Sequence, residues 1–131
     1  MYCPFFKFFF IFSCAIMPPD DTFVLAGTYL GDVKMFNLKT GTEESSYNCH
    51  GSQVTNLEVN KDGTLLLTSS AWRLPYSKLW SLGEFFETKL TFKDDDYVEF
   101  SKVNQDKVIA TETSKASIFD IQTGKLLLFI S

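Results

Sequence analysis

The feature that most constrains this 131-residue sequence is an internal repeat. Three segments each contain an alternating apolar run, an aromatic residue, a short polar turn and a glycine. The aromatic residues are Phe36, Trp80 and Phe119, and the glycines after them are Gly41, Gly83 and Gly124. A period of about 40 to 45 residues with four strands per repeat is typical of the blades of a WD-type propeller.

Short apolar runs bounded by turn residues supply four strands in each repeat. The first repeat has an apolar run ending at residue 17 and then strands at 23–28, 32–38 and 43–49. The second has 54–59, 65–70, 77–82 and 85–92, and the third has 97–102, 107–113, 115–121 and 125–130. No segment has a helical period. The sequence therefore predicts an all-β fold, a partial WD-repeat β-propeller of about three four-stranded antiparallel blades, at 12–49, 50–92 and 93–131.

The first eleven residues form an atypical Phe-rich segment, since six of the 14 Phe residues lie in the first 12 positions. The apolar run is too short for a membrane-spanning helix, which needs about 20 residues. A signal peptide is an alternative, with Lys7 before the apolar stretch and small residues at 13–15. We interpret residues 1–10 as a replaced N-terminus, and we expect the strand at 12–17 to be buried on both faces as the inner strand of a blade.

Charge and cysteine content exclude several function classes. The formal net charge is −4 and no basic stripe is present, so direct nucleic-acid binding is not expected, nor is membrane association. Cys3, Cys14 and Cys49 cannot all pair within one chain, and their spacing is not that of metal ligands. We expect reduced, buried thiols, with no metal and no cofactor.

His50 is the single histidine and precedes the second repeat. Many blades place a histidine there in a hydrogen-bond network with a strand hydroxyl and the aromatic residue of the third strand. We therefore expect His50 to have a structural role, with Ser69 or Ser70 and Trp80 as its partners. Phe36 and Phe119 are the counterparts of Trp80 in the other two blades. Asp120, which follows Phe119, is a further structural blade residue. A hydrolase that uses Cys49 or a serine with His50 is the alternative, although no Gly-x-Ser-x-Gly elbow surrounds any serine. The sequence predicts no catalytic residues.

Candidate partner-binding residues lie in loops expected to share one rim of the propeller. The loop at 71–76 is longer than its counterparts and contains Trp72, Arg73 and Tyr76, and Tyr29 lies in the shorter loop of the first repeat. Exposed Trp, Tyr and Arg dominate protein-protein binding energies. The alternative is that Trp72 folds back over the neighbouring blade.

Four segments resemble the C-terminal WD-repeat region of the Vpr-binding-protein family: residues 45–50 (SSYNCH), 62–69 (DGTLLLTS), 97–102 (YVEFSK) and 120–124 (DIQTG). The resemblance covers about residues 12–129. It implies a substrate receptor of cullin-four RING ubiquitin ligases, without catalysis of its own, that acts in the nucleus and cytoplasm. The implied partners are protein substrates and the damage-specific DNA-binding-protein adaptor. A scaffold unrelated to ubiquitination and a small secreted or membrane-associated β protein remain alternatives.

The sequence departs from the family at the adaptor-docking motif, in which a Trp-Asp-x-Arg arginine can grip a partner's carboxylate or carbonyl. The corresponding positions are Lys39, Gly83 and Gln122. The resemblance therefore implies that the adaptor docks on blades outside this chain. Three blades cannot close a ring, which needs at least four, so we expect a truncation at Ser131 and an isolated monomer that does not fold stably.

Overall fold

The computed structural model describes residues 12–20, 22–71, 76–83, 87–92, 97–102, 105–112 and 114–131. The Phe-rich segment, Trp72 and Arg73 lie outside these ranges. Within them the chain forms twelve strands and no helix. The strands make three separate four-stranded antiparallel sheets, as the sequence predicts.

Each sheet is a meander in which consecutive strands pair. Blade 1 contains β1 (Phe12–Ile16), β2 (Phe23–Thr28), β3 (Asp32–Asn37) and β4 (Glu43–Asn48). Blade 2 contains β5 (Val54–Val59), β6 (Leu65–Ser70), β7 (Ser77–Ser81) and β8 (Glu87–Phe92). Blade 3 contains β9 (Tyr97–Phe100), β10 (Lys107–Glu112), β11 (Lys115–Asp120) and β12 (Leu126–Ile130).

The three sheets share one irregularity at the repeated aromatic residue. The register between the third and fourth strands shifts at Phe36 in blade 1, at Trp80 in blade 2 and at Phe119 in blade 3. Such bulges bend the strand and increase its twist. The sequence repeat is therefore a repeat of backbone geometry, and positions in different blades can be equated through their strand register.

A second repeated contact closes one end of every blade. The amides of Leu38, Leu82 and Ile121, each two residues after the aromatic, donate to carbonyl oxygens of Thr22, Thr64 and Asp106 in the turn before the second strand. The bond lengths are 3.1, 2.8 and 3.0 Å. The third strand thus ends on the same backbone anchor three times.

The apolar cores lie between the blades. We call the side of a blade that faces the next blade its leading face, and the opposite side its trailing face. The core between blades 1 and 2 contains Leu25 and Val33 from the leading face of blade 1, and Val54, Leu57, Leu66 and Trp80 from the trailing face of blade 2. The core between blades 2 and 3 pairs Leu67, Leu79 and Phe92 with Val98, Phe100, Val108 and Ala110. Because stability comes from these junctions, a blade needs a neighbour on each side to bury both faces.

The expectation that the strand at 12–17 is buried on both faces is wrong. Phe12 and Met17 are 47% and 50% exposed, whereas Cys14 and Ile16 pack against the core between blades 1 and 2. The trailing face of blade 1 has no blade against it within the described residues, so one side of β1 stays open. The apolar sequence of this strand is that of an inner strand, but among the described residues a blade packs against only one of its faces.

Candidate functional site

A three-residue polar network lies inside blade 2. The indole Nε1–H of Trp80 donates to the Thr68 hydroxyl at 2.9 Å, and the Nε2 atom of His50 lies 2.7 Å from the same oxygen. Their relative exposures are 7%, 0% and 3%. Buried hydrogen bonds of this kind are strong and directional because water does not compete for them. The network therefore ties the segment before β5 to β6 and β7.

The hydroxyl that contacts both Trp80 and His50 is that of Thr68, next to the predicted Ser69 and Ser70, and the expectation of Ser69 is wrong. Side chains of a strand alternate between its faces, and Thr68 lies on the trailing face with Trp80, whereas Ser69 points to the leading face. The Ser69 hydroxyl lies 3.2 Å from that of Ser77 on the adjacent strand. A one-residue error in the predicted position therefore moves the hydroxyl to the wrong side of the sheet.

In blades 1 and 3, apolar residues occupy the positions that Thr68 and Trp80 hold in blade 2. The register equates Leu66 and Trp80 with Val24 and Phe36 in blade 1 and with Val108 and Phe119 in blade 3. Two residues after the first member of each pair, blade 2 has Thr68, and the others have Ala26 and Ala110. Where the hydroxyl is absent the indole is absent too, so neither blade buries an indole N–H without its acceptor.

Phe36 and Phe119 pack by edge-to-face ring contacts instead. Phe119 lies 5.5 Å from the Phe92 ring of blade 2, centroid to centroid, with the planes at 72°. Phe36 lies 5.8 Å from Phe12 of its own blade at 82°. Both geometries are favourable for aromatic pairs. The Phe119 contact joins two blades, whereas the Phe36 contact lies on the open trailing face of blade 1.

Asp120 holds the turn that follows the last repeat. Its carboxylate accepts hydrogen bonds from the Thr123 amide at 2.8 Å and the Thr123 hydroxyl at 3.0 Å, and these bonds lower the pKa of Asp120 below its ordinary value. The amide of Gly124, with φ of 72°, donates to the Asp120 carbonyl. In blade 1 the amide oxygen of Asn37 has the same role, accepting from the Lys39 and Thr40 amides at 2.8 and 3.1 Å.

One rim of the molecule presents exposed apolar side chains on a fixed turn. Tyr29 and Leu30, between β2 and β3, are 49% and 68% exposed. The buried Thr28 hydroxyl accepts from the amides of Leu30 at 3.2 Å and Asp32 at 3.1 Å. The Gly31 carbonyl accepts from the amides of Cys49 and His50 at 3.0 and 3.1 Å. The turn is thus anchored to the segment that carries His50.

The other predicted rim residues are only partly described. Tyr76 is half-buried, and its carbonyl accepts a 2.7 Å hydrogen bond from the Ser70 amide, which closes the loop between β6 and β7. Trp72 and Arg73, in the middle of that loop, lie outside the described residues. The loop begins beside the blade linker, because the Ala71 amide donates to the Gln53 carbonyl at 3.3 Å. Leu30, which no pattern in the sequence singles out, is the most exposed large apolar side chain among the described residues.

Cys49 has the properties of a core residue. Its side chain is 1% exposed within the core between blades 1 and 2, and burial raises the pKa of its thiol to about 12. The nucleophile of a cysteine enzyme is a thiolate, which such a pKa disfavours near neutral pH. Cys49 and His50 also follow β4 instead of lying on a strand, and the His50 Nε2 atom is directed at Thr68.

The described residues contain no group of three or more His, Cys, Asp or Glu side chains arranged to hold a metal ion. Among those same residues, no helix has the length and hydropathy to span a membrane.

Solved structures that resemble this chain include a β-propeller domain and a set of WD40 repeats. It superposes on the Cps50 (Swd1) β-propeller domain of Myceliophteria thermophila with a TM-score of 0.79 and 17% sequence identity, over 92% of this chain and 43% of that one. The RRP9 WD40 repeats give a TM-score of 0.73 at 13% identity, over 92% and 38%. The fold is therefore that of a WD-repeat β-propeller segment, as the sequence predicts.

Sequence comparison then identifies the family. The chain is 37% identical over 116 residues to the DDB1- and CUL4-associated factor homolog 1 of Caenorhabditis elegans, and 41% identical over 103 residues to Protein mahjong of Drosophila melanogaster. These matches cover 88% and 78% of this chain but 7% of each relative. The resemblance to the Vpr-binding-protein family is confirmed, and the first of these relatives is by its name a DDB1- and CUL4-associated factor. No family model matches the chain.

Proposed function

We propose that this chain is a non-catalytic interaction module, part of a propeller that presents protein substrates to a cullin-four RING ubiquitin ligase. The observation that carries the proposal is the anchored turn with Tyr29 and Leu30. A binding surface gains affinity when its contact residues are already fixed, because less conformational entropy is lost on association. Thr28 and Gly31 fix the turn, and the two apolar side chains remain exposed.

The relatives support the ligase part of this proposal. The Caenorhabditis elegans relative is, by its name, associated with DDB1 and CUL4. In this chain, the positions that correspond to the docking arginine are Lys39, Gly83 and Gln122. Lysine lacks the planar fork with which arginine binds two acceptors at once, and the other two residues are uncharged. We therefore propose that adaptor docking belongs to other parts of the longer relatives, and that substrates reach this module in the nucleus and cytoplasm.

Proximity labelling tests the proposal. The chain is fused to a labelling enzyme and compared with its Leu30→Asp variant, which places a charge on the anchored turn, and with Lys39→Asp on the opposite rim as the control. We expect a group of proteins labelled by the wild type and by Lys39→Asp but lost with Leu30→Asp, whose ubiquitination falls when cullin neddylation is inhibited. Identical labelling by all three chains, or rim-dependent partners whose ubiquitination does not respond to the inhibitor, would contradict the proposal.

The adaptor part is tested separately with purified components. Immobilised chain is incubated with the purified damage-specific DNA-binding-protein adaptor, and a longer relative that contains the complete propeller is the positive control. We expect retention by the longer protein and none by the chain. Retention by the chain would show that its blades dock the adaptor without the arginine motif.

A further inference from the structure

A cleft opens at the end of the core between blades 1 and 2, on the rim opposite the anchored turn, because β2 runs from this rim at Phe23 to the other at Thr28. Its volume is about 310 Å³, near the small end of the range for ligand pockets, which suits a single side chain. The turns between β1 and β2 and between β5 and β6 supply its lining residues, which are Pro18, Pro19, Asp20, Phe23, Asp62 and Gly63. The cleft therefore belongs to a junction between two described blades and not to an open sheet face.

At the junction between blades 2 and 3, a side chain bridges the corresponding turns. The Oε1 atom of Gln105 accepts a hydrogen bond from the Lys61 amide at 2.6 Å. Gln105 immediately precedes Asp106, whose carbonyl anchors the third strand, as Gly63 immediately precedes Thr64. The φ angles of Gln105 and Gly63, 57° and 72°, both lie in the left-handed region. Gln105 is therefore the counterpart of Gly63 in blade 3.

The residues of the first junction cannot form this bridge. Pro19 precedes the anchoring Thr22 by three positions, as Lys61 precedes Thr64, so Pro19 is the counterpart of Lys61. Proline has no N–H to donate, and Gly63 has no side chain that could accept. A Cβ atom built on Gly63 lies 3.6 Å from the Pro19 Cδ atom, which is an ordinary contact distance. The cleft is thus the space that the bridging side chain occupies at the next junction.

The lining of the cleft combines an apolar floor with two carboxylates. Pro18 is fully buried, and Phe23 is half-buried against the core between blades 1 and 2. Asp20 of blade 1 and Asp62 of blade 2 are exposed, and neither forms an ion pair with another described residue. The Asp20 carboxylate accepts from the Thr22 amide at 3.3 Å, which orients it. Each blade therefore contributes one negative charge beside an apolar surface.

We propose that this cleft binds an arginine side chain of a partner protein. A guanidinium has flat faces that pack on proline and aromatic surfaces, and its N–H donors lie in a planar fork that can reach two carboxylates at once. A lysine ammonium lacks both properties and should bind more weakly. The net charge of −4 favours a basic segment as the partner. Because the cleft and the anchored turn lie on opposite rims, binding at one does not require binding at the other.

An NMR titration of the isotope-labelled chain tests which side chain the cleft accepts. The probes are the N-acetyl methylamides of arginine, of lysine and of citrulline, which has the shape of arginine without its charge. We expect saturable shifts of the Phe23, Asp62 and Gly63 amides with the arginine probe, weaker binding of the lysine probe and no shifts with citrulline. No shifts at these amides with arginine, or equal binding of either other probe, would overturn the proposal.

Charge variants test whether the two carboxylates act locally. Asp20→Asn and Asp62→Asn should each weaken binding of the arginine probe by about threefold, as expected for a partly exposed ion pair. Asp106→Asn makes the same change in the corresponding turn of blade 3 and should leave the affinity unchanged. An equal loss in all three variants would indicate long-range attraction by the net charge and would overturn the assignment to the cleft.

A filling variant tests the shape of the cleft with both carboxylates retained. Gly63→Gln gives the first junction the residue that bridges the second, and its side chain, which finds no N–H on Pro19, should occupy the cleft and abolish binding of the arginine probe. Gly41→Gln is the matched control, since Gly41 also has a positive φ, 71°, and a Cβ atom there meets nothing within 4 Å. Unchanged binding by Gly63→Gln, or an equal loss in Gly41→Gln, would overturn the proposal. None of these measurements depends on the ligase or on the anchored turn.

Discussion

Blade 2 and its two neighbours stabilise the same backbone by different means. In blade 2 the Thr68 hydroxyl contacts both Trp80 and His50, and in blades 1 and 3 an alanine and a phenylalanine occupy the hydroxyl and indole positions. The polar solution is directional and connects three chain segments. The apolar arrangement needs no hydrogen-bond partner, but it depends on contact with a neighbouring aromatic ring. The comparison indicates that these positions change together, because an indole or a hydroxyl left alone in the core costs free energy.

The largest expected effect concerns the backbone that positions His50. A Cβ atom on Gly31, whose φ is 94°, would lie 2.0 Å from the His50 carbonyl oxygen. We expect Gly31→Ala to displace that segment and to lower the unfolding free energy by at least about 3 kcal/mol. Urea unfolding at a fixed chain concentration is the measurement.

Gly41→Ala is the matched control for that substitution. Gly41 also has a positive φ, 71°, but a Cβ atom there meets nothing within 4 Å. Its cost should be near 1 kcal/mol, from backbone strain alone. Equal effects of the two substitutions would show that the Gly31 contact with the His50 segment does not limit stability.

The second effect concerns the hydroxyl itself. Thr68→Val keeps the shape of the side chain but removes the acceptor of the Trp80 indole and the partner of His50, so the unfolding free energy should fall by about 2 kcal/mol. The reverse change in blade 3, Ala110→Thr, should also destabilise, because Phe119 offers no hydrogen bond to the new hydroxyl. Thr91→Val on the exposed part of β8 should change little. Stability unchanged by Thr68→Val would argue against the network.

A third, smaller effect appears as coupling between two positions. The Thr68→Ala/Trp80→Phe double variant gives blade 2 the residues of blade 3. The double variant should lose less free energy than the two single variants together, by about 1 kcal/mol, because each single change leaves one member of the pair without its partner. Strict additivity in the same unfolding experiment would mean that the indole and the hydroxyl act independently.

The smallest effect is a pH dependence of stability that we expect for the Asp120 turn of blade 3 and not for the Asn37 turn of blade 1. The pKa of Asp120 is lowered in the folded state. Its carboxylate therefore stabilises the fold at pH values above the unfolded pKa, and this stabilisation is lost as the pH falls through the folded pKa. The equivalent turn in blade 1 is held by Asn37, which has no charge. Asp120→Asn should therefore be less stable than the wild type at neutral pH and approach it below about pH 4. A stability difference that stays constant with pH would contradict this role of the carboxylate.

Much of the fold could be predicted from the sequence because each blade repeats a local pattern. The predicted strands at 23–28, 54–59 and 65–70 have the bounds of β2, β5 and β6, and the other strands differ at their ends by one or two residues where they are described. The choice of Thr68 could not be predicted, since the sequence has three hydroxyl residues in a row at positions 68 to 70, and only the pairing register shows that Thr68 lies opposite Lys78 on the face of Trp80 while Ser69 lies on the other face. Tyr29 is selected from the sequence, but the anchoring of its turn could not be predicted, because the contact with the residues before β5 joins segments far apart in sequence. Whether Tyr29 and Tyr76 bind a partner stays a prediction.

Hydrogen exchange of the Trp80 indole N–H tests most directly whether blade 2 is held by its buried network. Two-dimensional NMR of the chain in D₂O follows this proton, with the Thr68→Val variant as assignment aid and control. The account predicts exchange as slow as that of the most protected backbone amides, and strongly accelerated exchange in Thr68→Val. An indole proton that exchanges within minutes in the wild type, while the core amides remain protected, would contradict it.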